Sequence, residues 1–182
     1  EEVENEQKRL RHQAVYQRTL RGTIAVLLVV AAISVLVATL WMPVLQIYGS
    51  SMSPTLEAGQ IVVSVKTNQL KTGEVVAFWQ GNKLLVKRVI AGPGQWVDID
   101  MDGNVTVDGK ELTEDYLDVK ALGNCDVELP HQVEESRWFL MGDNRDVSVV
   151  SRSAAIGDVS KDQIEGKIVF RIWPLNKTGS IQ

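Results

Sequence analysis

Tyr48-Gly49-Ser50-Ser51-Met52-Ser53-Pro54-Thr55-Leu56 is a short polar turn set directly after a long apolar run, and it divides the chain into two unlike parts. From residue 22 to residue 56 no side chain is charged. Within that interval residues 24–42 are apolar apart from Ser34 and Thr39. That is close to the ~20 residues needed to cross a ~30 Å hydrocarbon core at ~1.5 Å per residue. Trp41 stands where an interfacial aromatic belongs, and Pro43 ends the helix just beyond it. Nothing about an anchor requires a run of hydroxyls at its outer edge, whereas a serine nucleophile held just above a bilayer would sit there.

Lys8, Arg9, Arg11, Arg18 and Arg21 precede the span, and Lys66 is the first basic residue after it. The positive-inside bias therefore predicts residues 1–22 as a cytoplasmic tail, 23–42 as a transmembrane helix and 43–182 as an extracytoplasmic domain. A cleaved signal peptide would show a shorter apolar region and a small-x-small cleavage site. Trp41-Met-Pro-Val-Leu-Gln-Ile47 follows instead, so a retained anchor is expected.

Beyond the turn the pattern becomes β-type. Residues 44–48, 61–65, 74–79, 84–91, 96–100, 104–107, 138–141 and 167–173 are rich in Val, Ile and aromatics and bounded by turn residues. Asp102-Gly103 and Asp108-Gly109 read as tight hairpin turns, where a positive φ favours these residues. Residues 111–136 are more polar and read as a cap-like insertion, and 153–162 as one short helix. The expected fold is mainly β: a small antiparallel, barrel-like domain carried on one N-terminal transmembrane helix.

Composition narrows the chemistry. With 182 residues and a net charge of −4, the chain holds one domain with a core plus an appendage, and it lacks the basic face that nucleic acid requires. The two histidines, His12 and His131, form no HExxH or Cys/His spacing, so a zinc site and a His-based triad are both disfavoured and no metal or other cofactor is implied. Cys125 is the only cysteine and has no internal disulfide partner.

A serine can still be activated by a lysine, provided that burial keeps the amine neutral. Lys87 meets that demand, with Leu84, Leu85, Val86, Val89 and Ile90 around it. Strand alternation places Leu85, Lys87 and Val89 on one side and Val86, Arg88 and Ile90 on the other, so one of the two basic residues should point inward. Periodicity alone would instead favour both lying on an edge or an outward face, as most lysines do.

Three segments together resemble the ordered signatures of bacterial type I signal peptidase: Ser51-Met-Ser-Pro-Thr-Leu56, Lys87-Arg-Val-Ile-Ala-Gly-Pro-Gly94 and Gly142-Asp-Asn-Arg145 followed by Ser148, Ser151 and Arg152. The stretch from Ile164 through Gly166, Lys167 and Arg171 to Trp173-Pro174 is similar to that family as well. The resemblance implies Ser51 as nucleophile, Lys87 as general base and Ser148 as the hydroxyl that orients the amine. The Ser51 backbone N–H would form part of an oxyanion hole. Gly49 replaces a serine that some members carry, as in the single-anchor Gram-positive form, and leaves that hole more dependent on backbone donors. By position, Leu45, Ile47, Met52, Leu56, Leu85 and Val86 would line shallow apolar pockets for an extended peptide cut after Ala-x-Ala. The implied partners are preprotein signal peptides, the lipid bilayer of a bacterial cytoplasmic membrane and a nearby secretion translocon, with no nucleic acid.

One departure stands out. Val147 and Val150 occupy places where the family usually has Asn and Asp. The missing carboxylate would normally pair with Arg152, which is left with Asp143 or Asp146, or with a looser setting. The expected function is a membrane-anchored Ser/Lys endopeptidase that removes signal peptides. The alternative is a weakened or inactive membrane-tethered homologue that binds such peptides without cutting them.

Overall fold

The computed structural model describes residues 2–67, 69–147, 151–153 and 156–181. The chain separates into two units, one ending at Trp41 and one running from Met42 onward. The first is a helix, α1 (Glu2–Trp41). Its Val15–Leu40 portion has a mean hydropathy of 2.8 and is long and apolar enough to cross a membrane. A helix that is apolar on every face has no side suited to water. Its few hydroxyls are satisfied within the helix itself: Ser34 donates to the Val30 carbonyl at 2.8 Å and Thr39 to the Val35 carbonyl at 3.0 Å.

The second unit is built from twelve strands among the described residues: β1 (Val44–Gln46), β2 (Ile61–Val65), β3 (Val75–Gln80), β4 (Lys83–Ala91), β5 (Trp96–Ile99), β6 (Val105–Val107), β7 (Lys110–Glu111), β8 (His131–Gln132), β9 (Arg137–Met141), β10 (Val159–Ser160), β11 (Ile164–Trp173) and β12 (Gly179–Ser180). One sheet has the order β1-β2-β11-β3-β4-β9-β10, with β12 on β11, and the other has the order β7-β6-β5-β8. Every described strand pair is antiparallel. The expected mainly β fold with one apolar N-terminal helix is the one observed.

Irregularities in β11 and β4 bend the large sheet. Register shifts fall between Ile164 and Gly166, Ile168 and Phe170, and Arg171 and Trp173 in β11, and between Val89 and Ala91 in β4. Among the described residues three apolar clusters fill the unit. One, around Met52, Leu56, Val62, Val75 and Ile168, lies under the serine turn. A second, around Val76, Phe78, Val89, Trp138 and Leu140, backs β3, β4 and β9. The third joins Ile90, Phe139 and Met141 to the small sheet through Val97, Ile99 and Val105.

The two expected hairpin turns differ. Asp108 and Gly109 take φ values of 52° and 75°, the pair of positive angles that a two-residue turn with the right twist requires, and they join β6 to β7. Asp102 and Gly103 sit in a wider loop, closed by the Gly103 N–H on the Asp100 carbonyl and by the Asp100 carboxylate on the Asp102 and Asn104 N–H groups. The short helix expected over 153–162 is not found among its described residues. Val159 is instead drawn into the sheet opposite Trp138, only 1% exposed, and Lys161–Gln163 forms a single 3₁₀ turn. Burying a β-branched side chain on a sheet outweighed a weak local helical preference.

Candidate active site

Two strand edges remain open near the serine turn. Among the described residues β1 ends the large sheet, and β9 pairs with β4 only from Arg88 onward, which leaves the first half of β4 without a second neighbour there. The Ile47 N–H donates to the Gln60 carbonyl and the Ile47 carbonyl accepts from Gly59, so Ile47 faces β2 and, by alternation, Val44 and Gln46 turn their backbone groups outward. On β4, Val89 donates to the Glu74 carbonyl and accepts from the Gly73 N–H, both just before β3, so it faces the β3 side and alternation turns Leu84 and Val86 toward the open side. Both edges line one cleft of ≈ 370 Å³, together with Tyr48, Gly49, Ser51 and Met52.

Of the six apolar residues expected to form pockets, Leu45, Ile47, Met52, Leu85 and Val86 line this cleft. Leu56 is fully buried in the cluster beneath it. Ser51 is half-buried on the cleft wall, and among the described residues neither its hydroxyl nor its N–H makes a hydrogen bond. Its carbonyl accepts from the Asn144 N–H at 3.1 Å, which ties the turn to the 142–145 loop. Gly49 has φ of 80°, a conformation that costs an L-residue roughly 1 kcal/mol or more.

Lys87 is 4% exposed, and its amine makes no hydrogen bond or ion pair among the described residues. Burial pushes that amine down to about 8; the Asp143 carboxylate opposes the effect and the Arg152 guanidinium adds to it. Arg88 is also buried, at 1% exposure. Only one of the two was expected to point inward, but β4 has protein on both faces here. Arg88 donates to Asp143 Oδ1 at 2.9 Å and Oδ2 at 2.7 Å, to the Gly73 carbonyl at 2.6 Å and to Thr55 Oγ1 at 3.2 Å. The bidentate, largely desolvated pair is the geometry that makes burying a guanidinium tolerable.

This pairing removes one of the three settings left open for Arg152. Asp143 is engaged by Arg88, not by Arg152, because Arg88 lies beside it across the β4–β9 ladder. Arg152 donates to the carbonyls of Leu122, Ala121 and Arg145, and burial followed by the neighbouring Arg145 charge holds its pKa below the usual arginine value. Val147 is exposed, while Ser148 and Val150 lie outside the described residues.

Several residues of the site carried no sequence signal of their own role. Asn144 and Arg145 sit inside a quoted motif, but Glu114 and Tyr116 belong to the polar insertion, where no periodicity marks them as buried. Glu114 forms an ion pair with Arg145, and Tyr116 stacks on Arg88. Among the described residues no group of three His, Cys, Asp or Glu could hold a metal ion.

Ser51 thus lies half-buried on the cleft wall, and Lys87 lies desolvated in the strand whose first half lines the same cleft. The family model of signal peptidase, peptidase S26, matches residues 20–173, and the chain belongs to that family. Signal peptidase IB of Staphylococcus aureus (strain COL) is 37% identical over 152 residues, covering 72% of this chain and 78% of that protein. Signal peptidase I of Bacillus licheniformis is 32% identical over 169 residues, covering 84% and 88%. A crystal structure of a signal peptidase I from Enterococcus faecalis V583 superposes with a TM-score of 0.46 at 24% identity, over 56% of this chain and 98% of that one. The chain is thus a protease of the signal peptidase I type, a hydrolase of signal peptide processing.

Proposed function

We propose that Ser51 and Lys87 form the catalytic dyad of an endopeptidase that cuts preproteins after Ala-x-Ala-type sites. The observation that carries this reading is the Lys87 amine: buried, without a partner among the described residues, and with its pKa pushed down to about 8 in the strand whose first half lines the Ser51 cleft. A neutral amine accepts the Ser51 hydroxyl proton as the oxygen attacks the scissile carbonyl. The free Ser51 N–H donates to the developing oxyanion, a type of contact whose loss typically costs ~10²–10³ in rate. The intermediate collapses to an ester on Ser51, and the Lys87 ammonium returns the proton to the departing amine. Water, deprotonated by the same amine, then releases the signal peptide carboxylate. Ser148 orients the amine.

The substrate adds as an extended strand between the outward edges of β1 and the first half of β4. Small side chains enter the apolar wall made by Leu45, Ile47, Met52, Leu85 and Val86, and larger ones are rejected by clash, with Leu56 backing the wall. Residues 23–42 anchor the enzyme in the bacterial cytoplasmic membrane beside the translocon. The 1–22 tail lies inside and the 43–182 domain on the outer face, where a membrane-held signal peptide presents its cleavage site.

The test is cleavage in detergent of a preprotein-like peptide carrying Ala-x-Ala, with the wild type, Ser51→Ala and Lys87→Ala. Product from the wild type alone, cut after the second alanine, supports the dyad. Full activity of either variant would sink it. Peptide bound but not consumed by a folded wild type would favour the peptide-binding alternative suggested by Val147 and Val150.

A further inference from the structure

We propose that Glu114 and Tyr116, from the insertion between β7 and β8, are positioning residues for the peptidase reaction, fixing the 142–145 loop and the Ser51 turn without touching substrate. The proposal rests on the Ser51/Lys87 reading. Glu114 is 5% exposed, and a carboxylate is buried at such a place only when paired. Its partner is Arg145, 2% exposed, whose Nε donates to the Gly142 carbonyl at 3.2 Å, so the ion pair grips the loop at both ends.

Tyr116 completes the brace. Its hydroxyl donates to Glu114 Oε1 at 2.9 Å, and its ring lies 3.8 Å from the Arg88 guanidinium carbon. The edges of that guanidinium are bound to Asp143, Gly73 and Thr55, and the ring covers a face of it. Thr55 belongs to the serine turn, and Asn144, next to Asp143, holds the Ser51 carbonyl. Two routes therefore run from the insertion to the nucleophile, one through Arg145 and the loop and the other through Arg88 and Thr55. A mere surface cap would need neither a buried carboxylate nor a ring on a buried arginine.

The charges that act most strongly on Lys87 are those of Asp143 and Arg152; its β3 partner, Val76, carries none. Arg145 adjoins Arg152, and Glu114 offsets it. Removing the Glu114 charge thus makes the cluster more positive and disfavours the protonated amine.

The experiment compares steady-state cleavage by full-length wild type, Glu114→Gln, Tyr116→Leu and Tyr116→Phe in detergent, with Ser51→Ala as control. Because neither residue lines the cleft, Glu114→Gln should lower kcat about 10- to 100-fold with KM within about twofold, the scale of a small misplacement of reacting groups. Its acidic limb of kcat should also move to lower pH. Tyr116→Leu should lose about tenfold in kcat, and Tyr116→Phe, which restores the ring, should recover most of it. Unchanged kcat and limb in Glu114→Gln, or a fall matched by loss of folded protein with the limb unmoved, would overturn the proposal. If Glu114→Gln does not fold, the tyrosine pair decides: equal rates in Leu and Phe variants sink the brace. Activity surviving in Ser51→Ala would instead fault the dyad on which it rests.

Discussion

A buried lysine amine with no acceptor among the described residues holds its proton weakly, and if Lys87 is the proposed base, chemistry and stability pull against each other there. Activity should follow the fraction of neutral amine, so kcat/KM should climb with unit slope through about pH 8 before levelling. A profile already flat below about pH 7 would remove Lys87 as the base. The sign for stability follows from the same depression. Below about 8 both folded and unfolded chains carry the charge, and the folded state bears its burial cost. Between about 8 and the ordinary lysine value of 10.5 the folded state has shed a proton that the unfolded state keeps, so stability rises with pH across that window. Lys87→Met should therefore abolish cleavage yet gain on the order of 1–3 kcal/mol at neutral pH in urea unfolding, the gain shrinking as pH approaches 10.5. No gain at neutral pH would mean that the amine is solvated. The apolar flanks of Lys87 were visible in the sequence. The burial of Arg88 beside it was not, because its acceptors come from Thr55, Gly73 and Asp143, and no period along β4 encodes partners that distant.

Strands make the cleft, and their edges decide what enters it. The Gln46 N–H faces away from β2, so a proline there removes the donor that the proposed strand addition would use and no bond of the sheet. One hydrogen bond is worth about 0.5–1.5 kcal/mol, so Gln46→Pro should cut kcat/KM about 3- to 10-fold, mainly through KM, with little change in the unfolding midpoint. Ile47→Pro is the contrast, since it removes the 2.8 Å bond to the Gln60 carbonyl and should destabilise the fold. Equal activity of Gln46→Pro and wild type would exclude strand addition at β1. The longer strands were legible as Val- and Ile-rich runs between turn residues. β8 and β10, two residues each, were not: His131–Gln132 and Val159–Ser160 become strands only because Trp96 with Val97, and Trp138 with Arg137, present edges to them. The insertion misled for a related reason. Its polar composition fits a cap, and only the tertiary fold sets Glu114 against Arg145.

At the scale of the whole molecule, the two units demand different surroundings. Val15–Leu40 exposes apolar side chains on all sides, whereas the unit from Met42 onward has its own three apolar clusters. The charge asymmetry on which the proposed orientation rests lies in Lys8, Arg9, Arg11, Arg18 and Arg21, against no Lys or Arg between residue 22 and Lys66. In a bacterial host, alkaline phosphatase fused after Gln182 should be active and a fluorescent protein fused there dark, because the first folds outside the membrane and the second inside. Replacing the five basic residues with glutamine and adding lysines at 44 and 46 should invert a measurable fraction of the molecules, since the Lys/Arg bias near the span ends sets orientation. Inversion would silence processing without touching Ser51 or Lys87, as the nucleophile and the translocated cleavage site would then lie on opposite sides of the bilayer. A fluorescent, phosphatase-negative wild type would place the serine turn inside the cell, and the peptidase would then need substrates that reach it before export.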